Sequence, residues 1–116
     1  MWKFLRISCA CCLGLVGCSS NPAADARRET AAVSALAKPG VSADSVRAEL
    51  IARGYACADG SGRFLTETGT IATAPRYISC SKNVGGTLVC AYRMDVIVVA
   101  RGEAADVHVR SGEICL

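Results

Sequence analysis

The sequence predicts an α+β fold, in which one N-terminal amphipathic helix packs on a small antiparallel β-meander of three to four strands stapled by disulfides. Residues 41–54 repeat their apolar side chains at helical spacing. Residues 56–116 are rich in β-branched side chains and are divided by Gly- and Asn-containing turn signals. This second stretch also holds most of the cysteines outside the extreme N-terminus. A chain of 116 residues has room for one such domain.

The helix is expected between residues 42 and 53. Ser42 can accept hydrogen bonds from the free amides of the first turn, and Gly54 suits the left-handed residue that follows a helix. Asp44 and Arg53 match the positive and negative ends of the helix dipole. The side expected to lie on the sheet comprises Val46, Leu50, Ile51 and Tyr55.

Strands are expected over residues 63–68, 76–82, 87–100 and 106–115. The turns between them are expected at residues 59–62, 83–86 and 101–105, and the tract 63–76 as a long, polar connection. The third strand is the longest β-rich run and should be central. In the last strand Val107 and Val109 alternate with polar residues, which is typical of an edge strand with one wet face.

Four cysteines in the domain can supply two disulfides, and a domain with few aromatic residues has a thin core that needs them. Three pairings are possible. If the hairpin loop is residues 84–86, Cys80 faces Cys90 and Cys57 is left to join Cys115, which is the predicted pairing. A one-residue change of register would bring Cys115 near Cys90 instead, so this alternative stays open.

The N-terminus has the layout of an export signal. Lys3 and Arg6 precede an uncharged apolar run over residues 7–16. The run is about half of the ~20 residues that a membrane-spanning helix needs. Residues 1–17 are therefore predicted to be a signal peptide rather than a permanent transmembrane anchor.

The residues that end this segment resemble the lipobox of bacterial lipoproteins: Leu15, Val16, Gly17 and Cys18. The resemblance implies that the Cys18 sulfur receives a diacylglyceryl group and that cleavage occurs before it, which makes the membrane a partner. Because Ser19 rather than Asp follows, likeness to Gram-negative lipoproteins implies a cell-envelope location at the outer membrane, facing the periplasm. The alternative is an ordinary secretory cleavage after residues 24–26, which would release a soluble protein.

The next segment, residues 18–38, is small and polar and is predicted to be a lipidated tether. Its alanine-rich second half, residues 29–38, could form a short helix that Pro39 and Gly40 would stop. The α+β domain is then expected over residues 39–116.

Composition and motifs exclude several classes of function. The net charge of +3 includes Lys3 and Arg6 of the signal peptide, so the remaining chain carries only about +1 and has no basic cluster for nucleic acid. The four domain cysteines lack the close pairs of a metal site. His108, the single histidine, is expected to face solvent, and no nucleophile elbow or phosphate loop is present. The sequence predicts no enzyme and no cofactor other than a covalent lipid on Cys18.

The order of tether, helix ending near a glycine, and antiparallel meander is similar to the SmpA/OmlA family of small lipoproteins associated with outer-membrane β-barrel assembly. The resemblance spans residues 39–116; it implies the α+β layout and transfers no binding residue. The anchor, together with a compact module that lacks catalytic groups, favours a non-catalytic interaction or scaffold module for another envelope protein. The alternative is an inhibitor of a secreted or lytic enzyme that uses the tract 63–76 as its exposed loop. A weak enzyme of unrecognised type would instead show a cleft with converging polar groups.

Overall fold

Every strand of the domain pairs with its neighbour in sequence. The computed structural model describes residues 22–86 and 88–116, and here the chain forms two helices and a four-stranded antiparallel sheet in the order β1-β2-β3-β4. The elements are α1 (Pro22–Ser34), α2 (Ala43–Ala52), β1 (Ala56–Leu65), β2 (Ile71–Gly86), β3 (Cys90–Arg101) and β4 (Ala104–Cys115). The fold is α+β with a small meander, as predicted, but it has two helices instead of one. The predicted signal peptide and Cys18 lie outside the described residues.

Helix α2 forms where its capping residues predict it. The Ser42 side chain accepts a hydrogen bond from the backbone N–H of Ser45, and Gly54 adopts a φ of 94° just after the helix. Val46 and Leu50 are buried against the sheet, as expected. The assignment of Ile51 to the same side is wrong, because a residue that follows Leu50 by one position points about 100° away around the helix and is exposed.

Helix α1 lies in the segment that was predicted to be a tether with a possible short helix at residues 29–38, and it starts earlier than that helix, at Pro22. Ala26 and Val33 are buried in the core, and the Thr30 hydroxyl lies 3.9 Å from the sulfur of Met94 on β3. Their small side chains recur at helical spacing and allow α1 to lie close on the sheet, but they are too small to be recognised as core from composition. The folded unit therefore includes Pro22–Ser34, and this helix ends before the predicted short helix would have ended.

Both helices lie on one face of the sheet. Side chains alternate between the two faces along each strand, and in β3 the residues Met94, Val96 and Val98 turn toward the helices and are fully buried. Among the described residues, the buried cluster between the helices and the sheet comprises Ala26, Val33, Val46, Leu50, Tyr55, Ile78, Cys80, Met94, Val96, Val98, Ala105 and Val109. The opposite face has no helix over it in the described part of the chain.

The first two strands are longer than the sequence predicted. β1 runs through residues 59–62, which were expected to form a turn, because Gly60 lies beneath the ring of Tyr77 and leaves room for it. The expected long connection over residues 63–76 is mostly strand, and a turn at residues 66–70 joins β1 to β2. The predicted third strand corresponds to β3, which lies between β2 and β4, and β4 is an edge strand as expected.

The disulfides join Cys57 to Cys80 and Cys90 to Cys115, so the predicted pairing of Cys80 with Cys90 and Cys57 with Cys115 is wrong. The predicted hairpin loop at residues 84–86 is not a loop: β2 continues to Gly86 through an irregularity in register, and Cys80 lies opposite Val96. In the β3–β4 hairpin, the short connection between Arg101 and Ala104 fixes a register that sets Cys90 opposite Cys115. This contact was the open alternative from the sequence.

The two helices contact different parts of the sheet. Asp25 and Arg28 of α1 line a groove with Asn83 and Val84, near the end of β2, so α1 lies over the end of the sheet where β2 passes into β3. The first turn of α2 lies instead beside Val98, toward the end of β3. In the described residues, no helix is long and apolar enough to cross a membrane.

Candidate functional site: the open face of the sheet

The sheet face without helices carries an aromatic cluster. The Phe64 ring centroid lies 5.3 Å from that of Tyr77 and 5.4 Å from that of His108, in tilted arrangements that suit aromatic pairs. The Tyr77 hydroxyl donates a hydrogen bond to the backbone carbonyl of Arg63 at 3.4 Å. A side chain at Gly60 would collide with the Tyr77 ring at 2.5 Å, so this glycine permits the cluster.

The turn at residues 66–70 bends over this face. Glu67 Oε2 lies 2.6 Å from His108 Nδ1, although β1 and β4 are the opposite edges of the sheet. Hydrogen bonds between the hydroxyls of Thr66, Thr68 and Thr70 hold the turn together. A backbone N–H, and then the hydrogen bond with His108, lower the pKa of the Glu67 carboxyl from its ordinary value.

A groove lies beside the aromatic cluster, and we call it the open-face groove (Phe64, Tyr77, Ile97, Asp95 and Arg110). Its remaining lining comes from Arg63, Leu65 and Ser79. The three apolar members are half-buried, so the groove offers rings and an aliphatic side chain that water reaches only in part.

Among the charged side chains at the groove, some have an ion-pair partner in the described residues and others have none. The Asp95 carboxylate lies 3.1 Å from Arg93 Nε, so this acid already has a partner on its own strand. Arg110, opposite Asp95 on β4, is exposed and forms no ion pair in the described part of the chain. The groove therefore presents two available guanidinium groups, those of Arg63 and Arg110, next to an apolar surface, which suits a partner with an apolar side chain and a nearby carboxylate.

A second polar group joins both helices to the sheet. Glu29 Oε1 on α1 accepts hydrogen bonds from the Tyr55 hydroxyl at 3.1 Å and from Lys82 Nζ at 3.3 Å, and lies 3.7 Å from an Arg53 guanidinium nitrogen. Lys82 Nζ also donates to the Arg53 carbonyl at 2.8 Å and lies 4.8 Å from the Tyr55 ring centroid. Burial, and then the negative charge of Glu29, raise the pKa of the Tyr55 phenol. Because each member has a protein partner, this group holds α1 in place.

The residues singled out from the sequence have different locations. His108 was expected to face solvent. It is instead half-buried between Phe64 and Glu67. In the described residues it bonds to that carboxylate and to no hydroxyl or thiol. Cys90, Cys115 and Glu113 form the one described group with metal-ligand spacing, but both sulfurs belong to a disulfide and are not thiolates.

The sequence analysis missed Glu29 and the pairing of Phe64 with Tyr77. Glu29 fell in the presumed tether, and the helical spacing of Ala26 and Val33 around it was the available signal. Bringing Phe64 next to Tyr77 depends on the register of β1 with β2, which shifts between Gly60 and Gly62 and follows no turn motif.

Comparison of the chain with protein-family models, curated proteins and solved structures gives no match.

Proposed function

We propose that the chain is a cell-envelope lipoprotein, anchored through a lipid on Cys18, whose domain is a non-catalytic interaction module. The observation that carries the interaction role is the open-face groove, where aromatic and aliphatic side chains adjoin the available guanidinium of Arg110. Aromatic and arginine side chains contribute much of the binding energy at protein interfaces.

The partner that fits the groove is a segment of another envelope protein with an apolar side chain and an adjacent carboxylate. The apolar side chain would contact Phe64 and Ile97, and the carboxylate would pair with Arg110. The lipobox-like residues ending at Cys18 and the two disulfides support a location in an oxidising compartment at a membrane. Ser19 after the cysteine favours the outer membrane, facing the periplasm.

The test is light cross-linking of the tagged full chain in its native envelope, followed by mass spectrometry. Arg110→Glu reverses the charge at the groove, and Arg76→Glu is the matched control, because Arg76 is exposed, has no described ion pair and lies outside the groove. We expect a cross-linked envelope protein with the wild type and the control, and about tenfold less of it with Arg110→Glu.

Two results would contradict the proposal. If Arg110→Glu and Arg76→Glu recover every cross-linked partner equally, the groove is not the binding surface. An N-terminal peptide that starts after residue 26 without lipid would remove the anchor.

The alternative proposal, inhibition of a secreted or lytic enzyme, is favoured by one observation. The turn at residues 66–70 protrudes from the sheet, yet its hydroxyls bond to one another and Glu67 bonds to His108, so it is an ordered loop that could enter a cleft. Purified protein would then inhibit a lytic enzyme, and Thr68→Lys in the turn would abolish inhibition while Arg110→Glu would not.

A further inference from the structure

One end of the molecule carries a group of exposed aliphatic side chains. Leu88 and Leu116 are almost wholly exposed, and Val89 and Ile114 are each more than half exposed. We call these four residues the apolar tip. Single exposed apolar side chains are common on proteins, but a contiguous group of large ones indicates a contact surface.

The backbone holds the apolar tip together. The disulfide between Cys90 and Cys115 joins the start of β3 to the end of β4, and the Leu116 N–H donates to the Val89 carbonyl at 2.7 Å. Ile114 lies opposite Ala91 in the sheet. Val89, Ile114 and Leu116 are thus held at the sheet end, and Leu88 adjoins them in the β2–β3 connection.

Helix α1 lies over this same end. Asp25, in its first turn, lines a groove together with Val84, which precedes the β2–β3 connection. Cys18 precedes Pro22 by four residues, which span at most about 14 Å even when fully extended. A lipid on Cys18 would therefore bring the bilayer close to the apolar tip.

We propose that the apolar tip inserts into the boundary between headgroups and acyl chains of the bilayer that holds the Cys18 lipid. The inference rests on the lipid anchor of the proposed function and adds a defined orientation to it. Arg27, an exposed residue of α1 without an ion pair in the described part, suits phosphate headgroups at this end. The sheet then stands on the membrane, and the turn at residues 66–70 points away from the bilayer.

The experiment compares two isoleucines at opposite ends of the sheet. Ile114 in the tip and Ile71 at the start of β2 are 53% and 63% exposed. Each is changed to Trp in the full, lipidated chain, which is then reconstituted into phosphatidylcholine vesicles with or without bromine on the acyl chains. The one tryptophan of the sequence, Trp2, lies in the predicted signal peptide, so a lipidated chain that starts at Cys18 has no tryptophan other than the one introduced.

We expect brominated lipid to quench the emission of Ile114→Trp by at least about half and that of Ile71→Trp only slightly, because the apolar boundary is only about 5–10 Å deep. Leu88→Trp, in the β2–β3 connection outside the sheet, should behave like Ile114→Trp and covers the case in which that variant folds poorly. Equal, weak quenching at all three positions in a chain whose Cys18 is lipidated would overturn the tip insertion and leave the anchor intact.

Two further outcomes contradict the inference in distinguishable ways. Emission of Ile114→Trp that is shielded from bromine and shifts with protein concentration would mean that a second copy covers the tip. A chain that fails to sediment with vesicles and whose Cys18 carries no lipid would overturn the anchor and the tip insertion together.

Discussion

Glu29 is the residue on which the attachment of α1 depends most. It accepts from Tyr55 and Lys82 and lies beside Arg53, so one carboxylate meets polar groups from the segment after α2 and from β2. Loss of a partner from such a half-buried group leaves the remaining polar atoms poorly satisfied. These contacts lead to two predictions at the scale of single residues.

We expect Glu29→Gln to lower the free energy of unfolding by about 1–2 kcal/mol, because the neutral amide leaves the Lys82 ammonium without its charged partner. Glu49→Gln is the control: Glu49 also pairs with Arg53, at 3.8 Å, but is exposed, and its loss should cost less than about 0.5 kcal/mol. Chemical denaturation measures both. Equal effects would show that the carboxylate on α1 has no special role.

Tyr55 should make the domain sensitive to alkali. Its pKa is raised in the folded state, so the folded protein keeps a proton that the unfolded chain loses above pH 10.0, and the free energy of unfolding must fall as pH rises beyond that value. Tyr55→Phe cannot ionise and should lose less stability between about pH 9 and pH 11. Denaturation curves at the two pH values test this. A wild type and variant that lose the same amount would refute the coupling.

At the scale of elements, α1 is expected to be part of the cooperative unit. Val33→Ala should destabilise the whole domain by about 2 kcal/mol, since it removes two methyl groups from a site with no solvent exposure. Ser34→Ala, at the exposed neighbouring position, should change stability by less than about 0.5 kcal/mol. Thermal unfolding measures the stability of both variants. If Val33→Ala does not change the stability, α1 detaches before the sheet unfolds.

The turn between β1 and β2 should loosen in acid. The pKa of Glu67 is lowered, so its contacts stabilise the turn above the ordinary carboxyl pKa of 4.5 and are lost as pH falls through the lower folded value. The protection factors of the amides of residues 66–70, which compare their exchange with the intrinsic rate at the same pH, should therefore fall below that range. Glu67→Gln should show low protection at every pH and no acid transition, whereas a turn that stays protected in acid would contradict the role of this carboxyl.

The contrast between α2 and the other elements shows what the sequence could predict. The ends of α2 could be predicted because Ser42 caps the first turn and Gly54 adopts a positive φ after the last one. Both features depend only on neighbouring residues in the sequence. The length of β1 could not be predicted from the sequence. A glycine such as Gly60 usually indicates a turn, and the contact with the Tyr77 ring that explains it within a strand is visible only in the structure. The open-face groove was equally hidden, because Ile97 joins Phe64 only through the pairing of three strands.

At the scale of the whole molecule, the two disulfides are similar in loop length but differ in burial. They span sequence separations of 23 and 25, so each should contribute about 3 kcal/mol by constraining the unfolded chain. Cys80 is buried, whereas Cys115 is exposed. A mild reductant should therefore open Cys90–Cys115 first, and alkylation followed by peptide mapping would show this order. Recovery of a Cys80–Cys90 peptide from the native protein would contradict the pairing.

The disulfide pairing also bears on how the protein is made. Each bond joins cysteines that are consecutive among the four, and each stays within a single hairpin. If the chain crosses a membrane amino-terminus first, Cys57 and Cys80 emerge before Cys90, and an oxidant that joins thiols in order of arrival forms the correct bonds at once. The fold then requires no reshuffling of mispaired sulfurs, because the order of emergence alone selects the native pairs.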